Sequence, residues 1–154
     1  MIDIFTATSD DDYSMAAVLF NEYANWLNID LTFQKFEDEL LQLKSMYGLP
    51  LGCIILAKYE GVLAACVAVR QQEPEIAELK RMYVKPAYRK LFIAQKILNK
   101  AIDFAGEAGY KKIRLDTLNT MTPAMNLYTK NGFKQIDSYY NNPLETAVYF
   151  EKDI

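Results

Sequence analysis

A chain of 154 residues with 51% hydrophobic content has the size and apolar share of one domain with its own core. The net charge of −3 argues against nucleic acid or an acidic membrane as partner, so any anion site must be local. Histidine is absent, which excludes Ser/His and Cys/His relays and makes a zinc site improbable; no metal is expected.

The N-terminal run MIDIFTATSDDD is acidic and lacks the long apolar stretch of a signal peptide. No segment approaches a membrane span, and the expected location is the cytoplasm. Ile2–Ala7 is a short strand candidate. Asp10, Asp11 and Asp12 offer a cap and a favourable first turn to a helix whose apolar positions include Met15, Val18, Leu19 and Tyr23. A second helix is expected over Phe33–Met46, with Phe33, Phe36, Leu40 and Leu43 on one face, ended by Gly48 and Pro50. Gly52–Tyr59 and Val62–Arg70 read as strands joined in a hairpin at Glu60-Gly61. Both cysteines, Cys53 and Cys66, fall inside these runs and are expected to be reduced core residues. After Pro74 comes a third strand, Glu75–Val84, then a helix over Lys90–Glu107 stopped by Gly109. Lys111–Asp116 is a strand, Thr122–Asn131 a helix, and Phe133–Tyr139 and Thr146–Glu151 are closing strands. No linker or repeat interrupts the chain, so residues 1–154 are expected to form a single domain. The order predicts an α/β (α+β) fold, a mixed and mostly antiparallel central sheet with helices on both faces.

Between Ala77 and Ala105 the pattern is a buried strand, a turn with Pro86, Arg89 and Lys90, and a helix. The first-turn N–H groups and the dipole of such a helix favour an anion. With Asn126–Phe133 (NLYTKNGF) further on, the two segments point to a diphosphate-bearing cofactor and a tyrosine near its reactive end.

At these residues the chain resembles the GNAT superfamily of acyl-CoA-dependent N-acyltransferases over nearly its whole length. ELKRMYV (Glu78–Val84), Lys85-Pro86, Tyr88-Arg89 and LYTKNGF (Leu127–Phe133) carry the resemblance. The family's phosphate loop, Q/R-x-x-G-x-G/A, stands here as Arg89, Lys90, Leu91, Phe92, Ile93 and Ala94, with Phe92 in place of the first glycine. DLTFQKFEDEL (Asp30–Leu40) and YYNNPLE (Tyr139–Glu145) are similar to a bacterial subgroup of unassigned substrate. The resemblance implies an N-acetyltransferase that moves an acetyl group from acetyl-CoA to the primary amine of a small molecule or peptide, by direct attack in a ternary complex. It also implies that backbone groups of Met82, Tyr83 and Val84 hold the pantetheine and polarise the thioester. Dimers are common in the family. Phe92 motivates the alternative, a catalytically inactive CoA-binding sensor or scaffold, if its ring obstructs the site.

The remaining chemistry needs a base and an acid. An alkylammonium with a pKa near 10 is neutral in only about one part in a thousand at pH 7. Glu78 matches the base of some relatives, and burial would raise its pKa towards a useful range; the bland alternatives are a partner for Lys80 or Arg81, or deprotonation through water. Tyr128 matches the tyrosine assigned as general acid, against the plain reading of a core aromatic. Asn119, before the last helix, is a further cofactor candidate. Tyr23, Trp26, Phe33, Tyr139 and Tyr140 are candidate walls for the acceptor, each also open to a packing role.

Overall fold

The computed structural model describes residues 1–31 and 35–154. Its elements in chain order are β1 (Ile2–Thr6), α1 (Asp10–Leu27), α2 (Phe36–Leu41), α3 (Leu43–Met46), β2 (Cys53–Tyr59), β3 (Val62–Glu73) and β4 (Ile76–Val84). A 3₁₀ turn at Pro86–Tyr88 leads to α4 (Ile93–Glu107), β5 (Lys112–Leu118), α5 (Thr122–Lys130), β6 (Lys134–Ile136) and β7 (Ala147–Asp153). The strands form one seven-stranded sheet in the order β1-β2-β3-β4-β5-β7-β6, antiparallel except at β4–β5.

Two cores, one on each face of the sheet, follow from strand alternation. Ile55, Val67, Val69 and Leu79 meet Ile93, Ile97, Leu98 and Ala101 of α4 on one side. Ile54, Leu56, Cys66 and Ala68 meet Leu19, Phe20 and Phe36 of the N-terminal helices, and Tyr47 just after α3, on the other. The hairpin turns at Glu60 and Gly61, with φ of 50° and 81°, the paired positive values of a type I′ turn. Cys53 and Cys66 are free and buried, and burial pushes the Cys53 thiol up to about 12, so both behave as inert core groups.

Several boundaries differ from expectation. Ser9, rather than the aspartates, caps α1: its hydroxyl accepts from the Asp12 N–H at 3.1 Å, and Asp12 returns bonds to the Thr8 and Ser9 amides. The second helix breaks at Gln42, whose φ of −129° leaves the helical region while its N–H closes on the Glu39 carbonyl; the expected start at Phe33 lies outside the described residues. The helix expected from Lys90 starts at Ile93, because Lys90 and Phe92 hold φ of 68° and 62° and neither angle fits a right-handed turn. β6 is shorter than its predicted run, and β7 inserts between it and β5.

Candidate active site

The site is an opening between two strands that begin as a parallel pair. β4 and β5 are in register only at Ile76–Lys112, Ala77–Ile113 and Glu78–Arg114, although both continue for several residues beyond. On its other edge β4 stays paired with β3, Tyr83 opposite Cys66 and Val84 opposite Ala65, and Lys85 donates to the Ala64 carbonyl at 2.9 Å. Because antiparallel residues alternate between facing and turning from their partner, the Val84 N–H and C=O point away from β3 into the opening.

A bulge precedes this edge. The β3–β4 register shifts between Cys66 and Ala68, and Arg81 sits there with φ of 57°. Glu39 of α2 holds it: Arg81 donates Nε–H to Oε2 at 2.9 Å and an Nη2 hydrogen to Oε1 at 3.0 Å, while the guanidinium lies 5.2 Å from the Phe36 ring centre. Both partners are buried, Arg81 6% and Glu39 2% exposed. Of the three consecutive acidic residues that open α2, Glu37, Asp38 and Glu39, Glu39 is the one turned inward to this clamp.

The opening leads to a cavity of about 70 Å³, lined by Lys80, Arg81 and Met82 of β4, Asp116 and Thr117 of β5, Tyr128 of α5 and Tyr23 of α1, with apolar walls including Leu27, Ile29 and Leu144. Tyr128 is buried against Phe133 and Phe150, with ring centres 5.6 and 6.1 Å away. Gly132, φ 90°, ends α5 and turns the chain so that Phe133 reaches this contact. Burial, with smaller contributions from Tyr23 and Asp116, holds the Tyr128 phenol well above its ordinary pKa of 10.0. Burial likewise pushes Tyr23 up to about 12. Both hydroxyls therefore remain donors at neutral pH.

Below the opening lies the loop before α4. Positive φ at Lys90 and Phe92 brackets Leu91, an alternation that turns successive amides into one concavity suited to an anion. The first helical bond is Lys96 N–H to the Phe92 carbonyl at 3.3 Å, which leaves the amides of Ile93, Ala94 and Gln95 as orphan first-turn donors. Phe92 thus occupies a left-handed conformation that glycine adopts without strain, where a helix starting at Lys90 would have given it a right-handed one, and the residue is 78% exposed, off the core. Arg89 folds back: its guanidinium stacks 4.5 Å from the Trp26 ring centre and donates Nε–H to the Val84 carbonyl at 3.0 Å.

Glu78 departs most from expectation. It is 2% exposed and absent from the cavity lining. It accepts from Arg70 Nε at 2.9 Å and from the Tyr139 hydroxyl at 2.7 Å. Desolvation pushes its pKa up, but Lys80, Arg70 and those hydrogen bonds outweigh it, so the carboxyl titrates below its ordinary value. The expected upward shift is overturned. Tyr139 and Tyr140 are second-row groups behind carboxylates: Tyr140 donates to Asp116 Oδ2 at 2.6 Å, and Arg114 lies 5.5 Å from the Tyr139 ring centre. Trp26 is half exposed and packs on Tyr23 and Tyr83 at the mouth. Asn119 stands exposed beyond β5, its amide bonded to the Thr146 carbonyl, apart from the cavity lining. Phe33 lies outside the described residues.

Lys80 and Asp116 were missed as site residues. An apolar strand interrupted by Lys-Arg was the available signal, since charges inside such a run must be paired or functional.

The acetyltransferase (GNAT) family model matches residues 20–133. An uncharacterised N-acetyltransferase of Schizosaccharomyces pombe is 38% identical over 146 residues, spanning 94% of this chain and 88% of its own. An acetyltransferase of the GNAT family from Staphylococcus aureus superposes with a TM-score of 0.82 at 22% identity, covering 99% of both chains. PaiA N-acetyltransferase from Thermoplasma acidophilum, solved in complex with coenzyme A, gives 0.75 at 20% identity over 100% of this chain and 99% of its own. The protein is thus an acyltransferase by class. More particularly, it belongs to the acetyltransferase (GNAT) family.

Proposed function

We propose that the protein transfers an acetyl group from acetyl-CoA to the primary amine of a small molecule or peptide, by direct attack in a ternary complex. The observation that carries this reading is the separation of β4 from β5 after Glu78, with Val84's amide and carbonyl turned into the gap and Tyr128 lining the same cavity. The solved relative that holds coenzyme A supports the choice of co-substrate. The chain's own groups fit it. Orphan amides of Ile93 and Ala94, with the Leu91–Phe92 turn and Lys90, match a diphosphate, and the free edge of Met82–Val84 matches the amides of an extended pantetheine arm. The exposed Phe92 ring leaves its own N–H available, which disfavours the obstructed-site alternative.

When bound, acetyl-CoA supplies a thioester carbonyl and a thiol leaving group. Arg89 gives up the Val84 carbonyl and turns its charge to the phosphates. The Met82 N–H, one residue past the bulge, polarises the thioester oxygen. Tyr128, kept protonated by burial, gives its proton to the departing sulfur. Asp116 lines the cavity and receives the amine's proton directly or through water, while Glu78 holds Tyr139 in place and is not the base. Buried, unpaired Cys53 and Cys66 fit a reducing, cytoplasmic setting.

Thiol release from acetyl-CoA across a panel of amines tests the activity, with calorimetry of CoA binding beside it. A micromolar constant, about −8 kcal/mol, and amine-dependent release are expected. Tyr128→Phe should lower kcat by about 10²-fold or more while leaving CoA affinity intact. Unchanged turnover would remove Tyr128 from the mechanism.

A further inference from the structure

Lys80 is 7% exposed and lines the cavity. Among the described residues its ammonium makes no hydrogen bond and no ion pair, although every other charge buried beside it is matched. Arg81 is taken by both oxygens of Glu39, and Glu78 is held by Arg70 and Tyr139. Asp116 accepts from Tyr140 at 2.6 Å and from Asn142 at 3.5 Å, but both bonds converge on Oδ2, leaving Oδ1 its capacity to accept. One small cavity therefore presents an unsatisfied ammonium on β4 and an available carboxylate oxygen on β5. A buried cation without a counter-ion is costly unless a ligand completes it. Desolvation accordingly lowers the Lys80 pKa, with Glu78 and Asp116 opposing the shift and Arg81 reinforcing it.

We propose that Lys80 binds the carboxylate of the acceptor, so that the acceptor is a small aminocarboxylic acid with a modest apolar side chain; the assignment rests on the acyl-transfer reading above. Asp116 takes the ammonium end and places the nitrogen on the Tyr128 side of the cavity. Leu27, Ile29 and Leu144 leave room for a short apolar group, because about 70 Å³ accommodates roughly five water-sized units. A diamine or polyamine would set its second cation against Lys80, and an amine without a carboxylate would leave Lys80 unpaired. A site built to bond a polar group discriminates strongly against ligands that lack it.

The test compares L-valine with L-valinamide as acceptors for the full-length enzyme and acetyl-CoA, followed by thiol release and product mass. The carboxylate should be favoured by about tenfold to a hundredfold in kcat/KM, the range of a charge-assisted bond. Lys80→Met should abolish that preference by lowering kcat/KM for valine at least about tenfold more than for valinamide, and Lys80→Arg should keep it. Binding of N-acetyl-L-valine, measured by calorimetry without turnover, should weaken at least about tenfold in Lys80→Met. Equal use of valine and valinamide, or an equal loss for both in Lys80→Met, overturns the anchor while acyl transfer stands. Lys80-dependent binding of N-acetyl-L-valine with no thioester consumption by any amine supports the anchor and overturns acyl transfer. If Lys80→Met fails to fold, the wild-type preference and the binding of N-acetyl-L-valine against its carboxamide decide the matter.

Discussion

Replacing Glu39 by alanine leaves the Arg81 guanidinium buried without its carboxylate. The pair is made by two short bonds, 2.9 and 3.0 Å, between side chains 4% and 2% exposed, so solvent cannot take over either partner. Breaking such a pair from one side costs about 3–5 kcal/mol, a large share of the roughly 5–15 kcal/mol that holds a domain folded. For a chain of this length each kcal/mol moves Tm by about 2–4 °C, which gives a fall of roughly 6–20 °C. Thermal and urea unfolding followed by far-ultraviolet circular dichroism reads it directly. Glu39→Leu combined with Arg81→Met should recover most of the loss, since an apolar pair of similar volume commonly equals a buried ion pair. The Arg81 bulge also carries a left-handed residue whose conformation costs about 1–2 kcal/mol, and the clamp is what stabilises it there. Coenzyme A affinity should therefore fall in Glu39→Ala even at temperatures where the variant remains folded. A stability loss under about 1 kcal/mol, the value of an exposed pair, would refute the clamp and with it the account of how β4 is held open.

Glu78 has a folded-state pKa below its ordinary 4.5. The stability it contributes is full above about pH 4.5 and is lost as the pH falls through the lowered folded value. Glu78→Gln should cost about 2–3 kcal/mol at neutral pH, less than a fully buried pair because Arg70 is a third exposed, and should make the acid limb of a stability–pH curve shallower; an unchanged limb would assign the acid sensitivity elsewhere, as to Asp12 or Glu151. Phe92→Gly relieves left-handed strain of about 1 kcal/mol but frees the unfolded chain by a similar amount, so Tm should move only a few degrees. With Phe92 already 78% exposed, coenzyme A affinity should change by less than about 1 kcal/mol, and a tenfold gain, about 1.4 kcal/mol, would show that the native ring obstructs the loop.

Much of the scaffold could be read before any coordinates. The amphipathic stripe Ile93, Ile97, Leu98, Ala101 and Ala105 marks α4, and it packs as its spacing requires. Glu60-Gly61 announces its turn, and the Tyr128–Gly132–Phe133 spacing places the phenol above a helix end. The helix start misled because Lys90 and Phe92 sit at positive φ, a conformation whose usual marker, glycine, is missing from both positions. Glu39 resembles its acidic neighbours Glu37 and Asp38 in every local respect; only a partner 42 residues away selects it for burial. The separation of β4 from β5 leaves no local trace either, since it is a property of two strands far apart in the chain.

The least legible feature is also the one that makes the site. In a regular strand Glu78, Lys80 and Met82 would share one face and Leu79, Arg81 and Tyr83 the other. Leu79 packs against the α4 core as alternation demands, and Lys80 lies opposite Ala68 on the face towards the N-terminal helices. The bulge at Arg81 then adds one residue to the count. Met82 returns to the α4 side, Tyr83 joins the N-terminal core, and Arg81 is turned to Glu39 and Phe36 on that same face. Two consecutive cations thus arrive on one side of one strand, where alternation would have separated them. Glu39 neutralises one of them and fixes the bulge; the other faces the cavity with its charge unmatched. The same extra residue therefore shapes the edge available to an acyl donor and leaves, beside it, the charge available to an acceptor.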